Sequence, residues 1–310
     1  MGAWQAVAIG ECMVELARGS DGRFGQSFGG DTFNTAVYLA RSGIATAYAT
    51  ALGDDPYSSA IVDVASTEGI ATDLILRRPG RMPGLYLIET SAEGERTFHY
   101  WRDRAPAREL FEGDDAGAII EAIIAARLVY VSGITLSLYS ARGLDRLADA
   151  LQRAHSAGAI IAMDSNYRPR GWNGDAARAR EVMQRFWRLA SIGLPTHDDE
   201  ALLWGHDTVD ETVAHLMRLG VGEVVAKLGS EGAVVARQDV PLDRINIPAP
   251  ARAVDTTAAG DSFNAAYLAA RLKGCSPRDA ALDGHRLAAV VIAHRGAIVP
   301  SEATAAVLGR

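Results

Sequence analysis

The chain has 310 residues, with two cysteines, no long apolar run and no block of basic residues. Each absence removes a class of protein. Cys12 and Cys275 are far apart and neither has a metal-ligand neighbour. Two reduced thiols in a cytoplasmic protein are expected, not a disulfide framework. No apolar stretch reaches the ~18 residues of a membrane span. The start, Met1 to Gly10, has no basic segment ahead of its apolar part, so it reads as a first buried strand and not as a signal peptide. Lys and Arg number 31 against 38 Asp and Glu, a net charge of −7. Without a basic block, nucleic acid is not the expected partner. An anionic small substrate stays open, because local arginine placement decides that. The chain has no G-x-x-x-x-G-K-[ST] string, and no G-x-G-x-x-G follows its first apolar strand. That excludes a P-loop and removes the best support for a dinucleotide site.

What is present is a regular alternation. Apolar strand patterns at 7–10, 45–52, 127–132, 159–164 and 191–194 alternate with helical patterns at 31–43, 56–68, 115–126, 140–156 and 175–188. Asp31 or Thr32 is expected to cap the first helix. Two further strands, 224–227 and 233–237, flank the turn Gly229 to Gly232, and helices at about 260–273 and 277–294 follow. This spacing predicts an α/β domain with a doubly wound, mostly parallel sheet and helices on both faces. Two stretches break the rhythm. Residues 18–28 are polar and Gly-rich, a loop or hairpin turn. Residues 77–101 read as an antiparallel hairpin turning at Glu93-Gly94. One domain over 1–310 is expected, with a β-sheet lid assembled from about 12–28 and 82–103.

The stretch that organises the chemistry is Asp255 to Ala266, DTTAAGDSFNAA. Turn residues and small residues run into an apolar helical pattern. Ala258, Ala259 and Gly260 let the backbone come close to a ligand, and Gly260 can take torsions that other residues resist. The first N–H groups of a helix starting there are unpaired and suit a phosphate. Asp261 then sits beside an anion site, as a base or simply as a residue the helix dipole favours. Far upstream, Gly29 to Asn34 reads GGDTFN, either a tight turn or a polar site whose Asp and Asn can accept from and donate to hydroxyls. Tyr100 and Arg102 are two apart on one strand and face the same side, a plausible carboxylate clamp. Arg96 alternates in register with Arg102 and either shares that face or supports the turn. Asp164 to Trp172, DSNYRPRGW, follows a strand directly, where α/β folds place active-site loops.

These segments together resemble the ribokinase-like (PfkB) carbohydrate kinases over essentially the whole chain. The GGDTFN and DTTAAGD segments match the family's two signatures in order. The strands carrying PGLY (from Pro83) and ERTFHYWR (from Glu95), with the DSNYRPRGW loop, resemble the 2-keto-3-deoxygluconate (KDG) kinase branch. The resemblance implies that Ala258, Ala259 and Gly260 form the anion hole and that Asp261 is the catalytic base. It implies sugar contacts from Gly30, Asp31, Asn34, Tyr86, Tyr100, Arg102, Ile134 and Arg168, with Arg170 as a second charge. On the nucleotide side it implies Asn166, Thr196, Lys227, Gly229, Ser230, Gly232 and His285, the last matching an adenine contact or being a packed surface histidine. The family's N-x-x-E segment falls on Pro195 to Glu200, where Thr196 replaces the Asn. Asp199 or Glu200 is left to serve Mg2+, and the metal ligands stay unassigned. The implied reaction is ATP-dependent phosphorylation of the 6-hydroxyl of 2-dehydro-3-deoxy-D-gluconate. Fructokinase or another ketose or keto-deoxy-acid kinase is the alternative within the family, and a non-catalytic sugar-acid sensor is the alternative outside it. A cytoplasmic homodimer packing lid to lid is expected, with ATP and a sugar acid as its small-molecule partners.

Overall fold

The computed structural model describes residues 4–19, 21–90, 96–247 and 253–309. Its first half contains β1 (Ala6–Ile9), β2 (Met13–Arg18), β3 (Phe24–Gly29), α1 (Asp31–Arg41), β4 (Thr46–Leu52), α2 (Pro56–Thr67), β5 (Ile75–Arg77), β6 (Leu85–Thr90), β7 (Arg96–Trp101), α3 (Gly117–Ala125), β8 (Leu128–Ser132), α4 (Gly133–Leu138) and α5 (Ala141–Ser156). Then come β9 (Ile160–Asp164), α6 (Ala176–Trp187), β10 (Ile192–Gly193), α7 (His197–Trp204), α8 (Val209–Arg218), β11 (Glu223–Lys227), β12 (Ala233–Arg237), β13 (Val240–Ile245), α9 (Ala259–Leu272), α10 (Pro277–Ile292) and α11 (Ser301–Leu308).

Nine strands form one sheet in the order β13-β12-β11-β10-β9-β8-β1-β4-β5. The strands from β5 to β11 in this order run parallel, and β12 and β13 add on antiparallel. Parallel strands buried on both faces must be apolar on both sides. In β1, Val7 and Ile9 join the core under α3, α5, α6 and α8, while Ala6 and Ala8 join the core under α1, α9 and α10. The period of two that puts alternate residues on opposite faces therefore splits the protein into its two helical layers. The predicted doubly wound α/β sheet is found.

A second sheet has the order β3-β2-β6-β7. The β6–β7 pair is antiparallel as expected, with Tyr86 opposite Tyr100, but β6 runs parallel to β2. The stretch 18–28 is not all loop, because Phe24–Gly29 pairs with β2 over its full length. Its polar, Gly-rich composition hid a strand that is exposed on an open edge. The turn expected at Glu93-Gly94 and the Arg96 side chain lie outside the described residues. Sequence periodicity also missed α4, α8, α11, β5 and β13, all short or weakly apolar. Among the described residues no helix is long and apolar enough to cross a membrane, and Cys12 and Cys275 are free thiols.

Candidate active site

The site lies beyond the carboxyl ends of β1, β8, β9, β10 and β11, where a parallel sheet leaves its crevice. Glu11, Ser132, Ser165, Thr196 and Leu228 each stand at or just past one of those strand ends.

α9 begins here. Ser262 N–H makes a helical bond to Ala258 O at 2.9 Å, so the N–H groups of Gly260 and Asp261 precede the first such bond. The left-handed residue at the cap is Ala258, φ 60°, and Gly260 is an ordinary helical residue. The sequence expectation placed the special torsion on Gly260. The turn ahead of it is set instead by Asp255, whose carboxylate accepts from Thr257 N at 2.8 Å and Gly296 N at 2.9 Å. A β-carbon on Gly260 would meet nothing closer than Lys227 Nζ at 3.6 Å. The space beside Gly260 is open and faces a cation.

Asp261 is buried and accepts from Asn34 Nδ2 at 2.8 Å. Burial, and then repulsion from Asp31, pushes its pKa up to about 7. Asp31 is raised too, chiefly by burial, and its carboxylate accepts from Asn166 Nδ2 at 2.8 Å. Asp31 does not cap α1. The cap residue is Gly30, with no side-chain capping bond, and the Asp31 side chain turns into the cleft. Gly30 is required by close approach, since a β-carbon there would sit 2.0 Å from Glu11 O. The structure thus joins the two signatures through Asn34 and Asp261, 227 positions apart. Asn166, expected on the nucleotide side, holds Asp31 from a backbone with φ 29°.

Behind Asp261 lies a buried network that takes in Lys227, expected as a nucleotide contact, together with Asp164 and Asn264, which sequence reading gave no role. Lys227 Nζ donates to Asp164 Oδ2 at 2.8 Å and Asn264 Oδ1 at 3.0 Å. Asn264 Nδ2 donates to Asp164 Oδ2 at 2.6 Å and Tyr130 Oη at 3.0 Å. Each of these side-chain atoms has at least one partner, which a buried ion pair needs. Asn264 is one helical turn from Asp261, and that i, i+3 spacing was the available signal.

A cavity of about 980 Å³ is lined by Tyr100, Arg102, Ile134, Arg168 and Arg170 among others. Arg102 and Arg170 stack on the Tyr100 ring, with guanidinium carbons 5.9 and 5.2 Å from its centroid. Arg102 also pairs with buried Glu11, whose carboxyl is raised by burial against the pull of that arginine. Among the described residues Glu11 Oε1 and Arg102 Nε have no hydrogen-bond partner. Arg168 donates to Asp199 at 2.7 Å. Tyr86 gives its hydroxyl to Glu15, which also accepts from Ser27 at 2.8 Å. Glu11 and Glu15 were unassigned, because an acid in an extended apolar run looks like an edge residue until its partners are seen.

Among the residues expected on the nucleotide side, Gly229 and Gly232 take positive torsions, φ 57° and 101°, around an exposed Ser230. Thr196 opens α7, and its N–H donates to Ser165 Oγ at 3.2 Å. His285 is not a surface histidine. It is buried edge-on against Phe263 at 5.0 Å, and its Nε2 has no partner among the described residues. Two acids of α7, Asp199 and Glu200, part company. Asp199 turns to Arg168, while Glu200 is fully buried, raised to about 8 by burial and then by Asp199.

The profile of the pfkB family carbohydrate kinases matches residues 5–304, and the chain belongs to that family. Two relatives named 2-dehydro-3-deoxygluconokinase match nearly the whole chain. The chain is 43% identical to that of Dickeya dadantii over 95% of its own length and 96% of the relative's. It is 41% identical to that of Escherichia coli K12, over 95% and 97%. Among solved structures, the fructokinase of Xylella fastidiosa with bound ATP superposes with a TM-score of 0.78 at 21% identity, covering 96% of this chain and 94% of that one.

Proposed function

We propose that this carbohydrate kinase transfers the γ-phosphoryl group of ATP to O6 of 2-dehydro-3-deoxy-D-gluconate. The observation that carries the substrate class is the cavity in which Arg102 and Arg170 flank Tyr100 and Arg168 joins the lining. Several guanidinium groups around one cavity suit a carboxylate, which accepts paired, charge-assisted hydrogen bonds. Fructose has no charge to offer them. The names of the two relatives agree with this reading.

In the proposed mechanism, Asp31 and Asn34 hold sugar hydroxyls, and Asp261 accepts the proton of the 6-hydroxyl. A base held near neutrality suits that task. O6 forms a bond to the γ-phosphorus as the bond to the β,γ-bridging oxygen breaks and ADP leaves. The N–H groups of Gly260 and Asp261, with Lys227 beside them, face the charge that develops on the phosphoryl oxygens. The strand-end turn at Gly229 to Gly232, Thr196 and His285 form the nucleotide side. Asp199 is the carboxylate that suits Mg2+, since hard oxygen donors and phosphates are its preferred ligands and Glu200 is turned away. The ion supplies charge neutralisation between β- and γ-phosphates. The enzyme is expected to work in the cytoplasm as a dimer joined through the second sheet.

A coupled ADP-release assay over keto-deoxy acids and ketoses, with phosphorus NMR of the product, tests the reading. Turnover with the keto-deoxy acid and phosphate on O6 supports it. Binding of the acid without ADP release would make the protein a sensor, and equal turnover of fructose would remove the role of the arginines.

A further inference from the structure

Away from the cleft, three ligand-type side chains meet where α7 gives way to α8. Glu200, His206 and His215 each present one donor atom, and these three atoms lie within 4.8 Å of one another. α7 ends at Gly205, φ 78°, and the chain turns there. His215 on α8 packs edge-on against Trp204 at 4.5 Å and against His206 at 5.0 Å. Glu200 is fully buried. The Ser165 hydroxyl and the Trp204 indole are near its carboxylate, yet among the described residues neither oxygen has a partner in hydrogen-bond geometry. His215 Nδ1 is buried and unpartnered as well. Burying a carboxylate without a donor is costly, and each such group in a native fold calls for a reason.

We propose that Glu200, His206 and His215 bind one divalent transition-metal ion of the zinc type. Two imidazoles and one carboxylate make a three-ligand set that leaves a fourth tetrahedral position to water. Nitrogen donors favour Zn2+, Co2+ or Ni2+ and disfavour Mg2+ and Ca2+. The surrounding groups fit. Thr212 Oγ1 lies 3.2 Å from His206 Nδ1 and 3.1 Å from His197 Nδ1. A hydroxyl has one proton, so it donates to one ring and accepts from the other. Accepting from His206 Nδ1–H leaves the Nε2 lone pair for a metal, the usual outer arrangement of a metal-bound histidine. His206 and His215 are half-exposed, so an ion has a route in. Such an ion would tie α7 to α8. The site is separate from the proposed Mg2+ carboxylate, because Asp199 points the other way, to Arg168.

The test uses the full chain without a histidine tag. The protein is mixed with Zn2+, passed through gel filtration, and its metal content measured. A Co2+ titration followed by visible absorption reports ligand geometry. One retained equivalent, a tetrahedral cobalt spectrum and a higher Tm in the presence of zinc are expected. His215→Ala and His206→Gln should each abolish the retained equivalent, and Thr212→Val should weaken it by about 10–100-fold. Wild-type protein that retains neither metal would overturn the site. So would an equivalent that survives both histidine substitutions. If His215→Ala fails to fold, the half-exposed His206→Gln decides alone.

Discussion

At the scale of single residues, the raised carboxyl of Asp261 links mechanism to stability. As a base it must be ionised, so kcat/KM should rise with pH through an apparent pKa of about 7, far above an ordinary aspartate. A profile flat down to about pH 5 would remove the role. Asp261→Asn should cost roughly 10²–10⁴-fold in kcat while ATP still binds. The same substitution should stabilise the fold. Between the unfolded pKa of about 3.9 and the folded value, the native state holds the extra proton. Stability is therefore fully present below about pH 4 and falls as pH rises through the folded pKa. An uncharged Asn escapes this loss, so its Tm should exceed wild type at about pH 8, by the equivalent of about 1–4 kcal/mol, and match it near pH 4. A Tm gap independent of pH would mean that Asp261 does not carry a carboxyl raised by burial and by Asp31. The arginines make a different prediction. Losing one charge-assisted bond costs about 1.5–3 kcal/mol, or roughly one to two decades in kcat/KM. Arg102→Ala and Arg168→Ala should lose that much on the keto-deoxy acid and little on fructose, and Asp31→Ala should hurt both sugars alike. Equal losses on both sugars for the arginine variants would mean that they hold the lid or Asp199 instead.

At the scale of elements, the start of α9 carries both the strain and the anion site. Ala258 at φ 60° sits where a β-carbon costs roughly 1–2 kcal/mol. Ala258→Gly should therefore keep or raise Tm. Gly260→Val should leave the far-ultraviolet circular dichroism unchanged, because the protein offers its β-carbon room. It should nonetheless abolish tight ATP binding by filling the space beside the free N–H groups. Loss of fold would place Gly260 in packing and not at the phosphate. These elements also show what could be read from the chain alone. The helices with strong apolar periodicity and the buried strands were legible, because a two-faced core imposes its pattern on every residue that touches it. Asp31, Asn34 and Asp261 stood out through the resemblance to the family's two signatures, because the residues alone also allow a tight turn or a carboxylate that the helix dipole favours. The strand Phe24–Gly29 was not legible, since an exposed edge carries no pattern. The partners Glu11 and Asp164 were not either, since pairing across the fold leaves no mark on local sequence, and Asn264 offered only its one-turn spacing from Asp261. The torsion at Ala258 contradicted local propensity, and only the Asp255 contacts that hold the turn explain it.

At the scale of the molecule, the second sheet is the part that has least to pack against within one chain. Its inner face holds Met13, Tyr86 and Ile88. Trp101, adjacent to Tyr100 on β7, must point to the opposite face by strand alternation, and it is 61% exposed. Phe24 on the β3 edge is 47% exposed. Both outer strands, β3 and β7, leave unpaired backbone in this sheet. Exposed edges and large exposed aromatics are features that proteins usually cover. A second copy would cover them, and an aromatic at the centre of such a contact commonly dominates its energy, at about 2 kcal/mol or more. Trp101→Asp should thus shift the protein from dimer to monomer in light scattering after size exclusion. Because Trp101 adjoins Tyr100 on the strand that faces the substrate cavity, the monomer should also show a raised KM for the sugar with kcat less affected. A wild-type protein that elutes as a monomer at all concentrations would end the dimer proposal. A Trp101→Asp dimer would move the contact away from this face. In either case Tyr100 and Arg102 are held from within one chain, by the β2–β6 junction, the Glu11 pair and the Arg170 stack.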